Sequence, residues 1–79
     1  MTLFQKLQDV IATALNVPAS SISETTTDKD IAQWDSMGHV NLLMALEQTF
    51  DIQVDVEDFP TLNSVPAILD YLKARNIAS

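Results

Sequence analysis

Three stretches of this sequence place apolar residues three and four positions apart, and that period commits the chain to helices. In the first, Leu3, Phe4, Leu7, Val10, Ile11, Ala14 and Leu15 are separated by Gln5, Lys6, Gln8, Asp9 and Thr13, which predicts an amphipathic helix over about residues 3–16. Thr2 supplies an N-cap, and Asn16 with Pro18 two residues on marks the end. The second stretch runs from about Ser36 to Phe50 behind an Asp35 cap, with Leu42, Leu43, Leu46 and Phe50 facing inward. The third starts behind a cap at Asn63 or Ser64 and carries Pro66 in its first turn, where a missing N–H costs little. Its buried stripe is Val65, Ile68, Leu69 and Leu72, and Lys73 and Arg75 suit its C-terminal dipole.

The connections are as telling as the helices. From Val17 to Asp35 there is no sustained period, only Ser, Thr, Asp and Lys punctuated by Val17, Ile22, Ile31 and Trp34. A loop of this length is unusual in a compact domain and is often functional. The isolated apolar residues are expected to pin it to the core, with Thr27 or Asp28 opening a short turn of helix. Further on, Ile52, Val54 and Val56 alternate with Gln53 and Asp55, but a lone strand has nothing to pair with. An extended loop running into a short helix, interrupted by Pro60, is the expectation there. The fold class is therefore all-α, a four-helix bundle of three main helices and one short one, with a long loop between helices one and two. At 79 residues the chain is expected to form one domain, 1–79, and its start at Met1 suggests a free-standing protein.

A domain of this size buries roughly 60 % of the surface of its unfolded chain, which leaves little room for a deep, water-excluding active site. The absence of cysteine excludes disulfides and thiolate metal sites. Met1 to Lys6 lacks the apolar run of a signal peptide, and no segment approaches the roughly 20 apolar residues of a membrane span, so a cytoplasmic location is expected. The net charge of −7 is unevenly spread: between Glu24 and Asp58 nine acidic residues stand against Lys29 alone. That block repels nucleic acid and anionic membranes, and it suits partners with basic surfaces. A merely solvated acidic surface explains the same charge.

Chemistry concentrates in Trp34-Asp35-Ser36-Met37-Gly38-His39. Ser36 falls at the first position of helix two, where unpaired N–H groups and the positive end of the dipole favour an anion such as a phosphodiester. A serine at a helix start is also, and commonly, no more than a cap, so an unmodified helical interaction module stays open. Met37, Val40 and Met44 follow a second stripe that the inward leucines leave surplus, and methionine suits a surface that must fit several partners. Glu47 adds charge to that surface. A broad core taking in both stripes is the competing reading. His39 lies one turn after Asp35, so the two could pair, but with no third strong ligand no metal site is expected. Trp34 is expected to pack the loop onto the bundle or to border whatever Ser36 bears. Asp28, Asp30, Asp51, Asp55, Glu57 and Asp58 lack the spacing of a calcium loop, and the single glycine excludes a glycine-rich phosphate loop. No nucleophile, base and orienting group fall together, so the chain is not expected to be an enzyme.

Asp35-Ser36-Met37, running through Val40-Asn41-Leu42-Leu43-Met44-Ala45-Leu46-Glu47-Gln48-Thr49-Phe50-Asp51-Ile52, resembles the second-helix signature of acyl carrier proteins. The resemblance extends over the whole chain, from Asn16-Val17 before the long loop to a last helix reading Asn63-Ser64-Val65-Pro66-Ala67-Ile68-Leu69-Asp70-Tyr71-Leu72. It implies that a phosphopantetheinyl transferase attaches 4′-phosphopantetheine from coenzyme A to Ser36. The Ser36 hydroxyl would attack the coenzyme A β-phosphate, with Mg²⁺ and the base supplied by the transferase. A terminal thiol on that arm, holding acyl cargo as a thioester, explains thiol chemistry on a cysteine-free chain. The resemblance further implies a monomer that meets acyl-loading and acyl-processing synthases through Asp35, Met37, Val40, Met44 and Glu47. Gly38 and Asn41 stand where the fatty-acid type carries acidic residues, and Gln33-Trp34 replaces a frequent glycine two residues before the Asp-Ser pair. These departures make the chain look closer to stand-alone carriers of specialised pathways, and they keep an aminoacyl or peptidyl carrier as the alternative.

Overall fold

The computed structural model describes residues 2–77. Met1, Ala78 and Ser79, the ends of the 1–79 domain expected from the sequence, lie outside the described residues. Helix α1 spans Leu3–Leu15. Thr2 opens it with a full capping box: its hydroxyl accepts from Gln5 N at 3.1 Å, and the Gln5 side chain accepts from Thr2 N at 3.0 Å. Asn16 closes it in the left-handed conformation, a position an asparagine tolerates, so the helix stops one residue short of the expected end.

Helix α2 spans Ser36–Phe50, and the Asp35 carboxylate caps it by accepting from Gly38 N at 2.8 Å. Helix α3 spans Val65–Ala74; of the two candidate caps it is Ser64 that accepts from the backbone, at Ala67 N. The short fourth helix is a 3₁₀ helix, Val56–Thr61, and Pro60 lies inside it. The expected interruption at Pro60 does not occur. A six-residue 3₁₀ helix closes i to i+3 bonds at few positions, here Asp58 N to Asp55 O and Leu62 N to Phe59 O, and neither requires a proton on the Pro60 nitrogen. Among the described residues there is no strand, only one antiparallel bridge, Thr27 to Ser64.

Leu7, Ile11, Leu42, Leu43, Leu46, Val65, Ile68 and Leu72 fill the middle of the bundle, with α1 packed chiefly on α2 and also touching α3. Ile22, Ile31 and Trp34 of the long loop are buried in the same core, and Val17 packs against it half-buried. The loop carries one 3₁₀ turn, Ala19–Ser21, tied to α1 through the Gln8 side-chain amide, which donates to both Ala19 O and Ile22 O at 2.8 Å. Around Thr27 it forms hydrogen-bonded turns and no helix. Its backbone pairs instead with the entry to α3, through Asp28 N to Asn63 O and Val65 N to Thr26 O. The loop therefore delivers Asp35 and Ser36 to a fixed place at one end of the bundle.

Candidate functional site

Ser36 is the first residue of α2 and is exposed to solvent. Asp35 beside it is committed to the cap, so its side chain fixes the direction in which α2 leaves the loop. Two residues on, Gly38 is buried. A Cβ at this position would overlap the Gln33 carbonyl oxygen and approach Leu15 Cδ2 to 3.0 Å. Gly38 thus faces α1 and the loop, away from solvent. Of Gly38 and Asn41, the two positions where the resemblance places acidic residues, only Asn41 is exposed, so only there does the substitution take charge off the surface.

The second stripe of α2 is on the surface. Met37 is 78 % exposed, Val40 45 % and Met44 51 %, so the core takes in the leucines and leaves these three outside. Three apolar side chains thus lie along one exposed face of the helix. Glu47 is only half-buried among them, and its Oε2 accepts from Val54 N at 2.9 Å. That carboxylate fastens the segment after α2, a role that its spacing on the helix does not announce.

His39 does not pair with the Asp35 carboxylate. Its Nδ1 accepts from the Trp34 indole N–H at 2.9 Å, and its Nε2 lies 2.6 Å from the Phe59 carbonyl oxygen. The indole nitrogen can only donate and the carbonyl can only accept, so the two partners select the neutral imidazole with its proton on Nε2. The rings follow the same arrangement, Trp34 stacked on His39 at 6.3 Å between centroids and Phe59 edge-on at 6.5 Å. The reason His39 turns from Asp35 is competition: the Asp35 carboxylate is held by the helix N-terminus, while the buried indole N–H needs an acceptor. The sole tryptophan and sole histidine, five residues apart, were the available signal, but helical spacing does not bring such a pair together.

Trp34, Asp35, Ser36 and His39 line an open cleft of about 380 Å³ with Asp28, Pro60 and Asn63. The last three come from the loop and from the region before α3, and sequence reasoning placed none of them beside Ser36. An exposed hydroxyl at the rim of an amphipathic cleft fits a flexible arm linked through a phosphodiester, with no bulk in its way. Among the described residues no three His, Asp or Glu side chains converge as metal ligands, and no helix is long and apolar enough to cross a membrane.

The family described as "Phosphopantetheine attachment site" matches residues 5–72. Among curated proteins, an acyl carrier protein of Syntrophus aciditrophicus (strain SB) is 33 % identical over 78 residues, covering 98 % of this chain and 96 % of that protein. One from Clostridium acetobutylicum is 36 % identical over 72 residues, covering 91 % and 94 %. One from Helicobacter pylori (strain J99) is 35 % identical over 79 residues, covering 99 % and 100 %. With the family model matching residues 5–72 and these relatives matched over nearly their full length, the chain belongs to the acyl carrier protein family, whose members bear 4′-phosphopantetheine and carry acyl groups without catalysing their chemistry.

Proposed function

We propose that Ser36 is the residue that bears the arm. The observation that carries this reading is its exposed hydroxyl at the head of α2, the one serine of the helix start that the Asp35 cap leaves free of capping duty. In the transferase, Ser36 Oγ forms the new bond to the β-phosphorus of coenzyme A. Its proton passes to a base of the transferase, and the nucleotide portion leaves. Once attached, the arm supplies a terminal thiol on which acyl cargo rides as a thioester. This chain's own residues do the rest. Asp35 holds the end of α2 rigid, the free N–H groups and dipole of the helix start favour the phosphodiester charge, and the cleft keeps the approach to Oγ open.

Met37, Val40 and Met44 are the apolar contact for the transferase and for acyl-loading and acyl-processing synthases, with Asp35 and Glu47 at its edge. The acidic block from Glu24 to Asp58 favours partners with basic docking surfaces. The chain acts as a monomer, in the cytoplasm, as one domain over 1–79. The Trp34-Asp35-Ser36 sequence and the uncharged Asn41 favour a specialised pathway over housekeeping fatty-acid synthesis. Intact mass tests the central point. Incubation with a phosphopantetheinyl transferase and coenzyme A adds the mass of one arm, and Ser36→Ala abolishes the gain. A second addition, or an addition that survives Ser36→Ala, overturns the assignment. Loading of the modified protein by acyl but not aminoacyl donors separates an acyl carrier from an aminoacyl or peptidyl carrier.

A further inference from the structure

The 3₁₀ helix Val56–Thr61 has no fully buried residue of its own. Val54 before it and Leu62 after it are anchored in the core, Phe59 packs half-buried against that core, and two polar tethers hold the six residues of the helix besides. One is long, the Tyr71 hydroxyl donating to Asp58 at 3.4 Å. The other is short, His39 Nε2–H donating to the Phe59 carbonyl at 2.6 Å. The segment reaches the cleft through Pro60, opposite Ser36 and His39 of α2, and carries a further apolar side chain, Val56, that is 77 % exposed. A partner that grips both sides of the cleft needs them in register.

We infer that His39 is a positioning residue that holds the Val56–Thr61 segment in register with α2 around Ser36, and that it does so only as the neutral imidazole. The inference rests on the proposed function for what docks there. The physical argument lies in the Trp34 bond. Trp34 is 4 % exposed, and its N–H has His39 Nδ1 as acceptor. A proton on Nδ1 sets two donors against each other, so the imidazole must swing away, and its Nε2–H leaves Phe59 with it. The other ionisable groups around His39 are acidic: Asp35 at the start of its own helix, Asp28 of the loop on the same cleft, and Asp58 next to Phe59 with Glu57 before it. Modification of Ser36 adds one more anion at the cleft. His39 is the one imidazole of the chain, so comparison with a variant that lacks it isolates its contribution.

The test compares wild type with His39→Gln, which keeps one donor and one acceptor but takes up no proton. Steady-state modification by the transferase with coenzyme A is followed from about pH 8 to about pH 5.5. The ratio of the two KM values for the carrier cancels the transferase's own pH dependence. Wild-type KM is expected to rise relative to His39→Gln by about two- to tenfold at the acid end, the equilibrium weight of one hydrogen bond, with the kcat ratio flat. A constant KM ratio, or a change carried by kcat, overturns the inference. An independent readout on the wild type alone is ¹⁵N NMR of the imidazole. Near pH 8 the relay requires an unprotonated Nδ1 and a protonated Nε2, with the Trp34 indole N–H signal shifting in step with His39 on acidification. The opposite tautomer, or an indole signal indifferent to the titration, also overturns it. Absence of any modification at pH 8 overturns the assignment of Ser36 and leaves the NMR result to decide the relay.

Discussion

Gly38 stands in the first turn of α2 with the Gln33 carbonyl oxygen and Leu15 Cδ2 closing on the side where a Cβ would lie. At an ordinary helical position, glycine to alanine stabilises by about 1 kcal/mol. Here the sign reverses, because one obstacle is backbone and cannot rotate away. Gly38→Ala is expected to lower stability by about 1–3 kcal/mol, read from the urea midpoint, and a higher midpoint would contradict the packing described. Tyr71 offers a second test at this scale. Burial raises its pKa above 10.0, Arg75 stacked on its ring opposes the shift, and Asp58, by charge and by hydrogen bond, adds to it. The folded protein therefore keeps the phenol proton at a pH where the unfolded chain has lost it. The associated stability is whole below the unfolded pKa and is lost as pH rises through the folded one. Since Tyr71 is the only tyrosine, absorbance at the phenolate band should show one midpoint above 10.0, moving down on unfolding.

Glu47 shows how an element can be held by a residue that looks like surface. Its carboxylate accepts the Val54 N–H across the αL residue Asp51, which ends α2 and turns the chain back. Two substitutions separate tether from charge. Glu47→Ala removes both and is expected to cost about 1.5–3 kcal/mol in urea unfolding, the range for a hydrogen bond to a charged group. Glu47→Gln keeps an acceptor and should cost clearly less while removing the charge. Equal losses from the two would assign the effect to charge alone. The long loop is held in the same manner. Gln8→Ala frees two loop carbonyls at once and is expected to cost about 1–3 kcal/mol and to speed amide exchange around Ala19 to Ile22.

For the molecule as a whole, the proposed function divides recognition between charge and exposed apolar surface. In that proposal the acidic residues from Glu24 to Asp58 act at long range, and Met37, Val40 and Met44 act only on contact. Association with a basic partner enzyme should slow steeply as salt rises from about 0.01 M to about 0.5 M, while dissociation changes little. Met44→Ala should do the reverse, raising the dissociation rate with little effect on association. Stopped-flow measurement of both rates checks the division, and a salt-independent association rate would remove the steering role.

Periodicity determined the three α-helices and the leucine face of α2, and residue type their caps at Thr2 and Asp35, because those features depend on residues within a turn or two of one another. It also determined that Ser36 opens a helix, and the order of residues around it carried the family resemblance. What surrounds Ser36 was decided in three dimensions. Asp28, Pro60 and Asn63 reach the cleft from far along the chain. His39 exchanged an apparent neighbour on its own helix for Trp34 and Phe59, since a buried indole N–H and a backbone carbonyl needed partners more than a carboxylate already capping a helix. Gly38 faces inward, where Leu15 and the Gln33 carbonyl, both from outside its own helix, leave no room for a Cβ. Local spacing fixes which way a helix faces; which groups then compete for each hydrogen bond is settled only when distant segments are brought together.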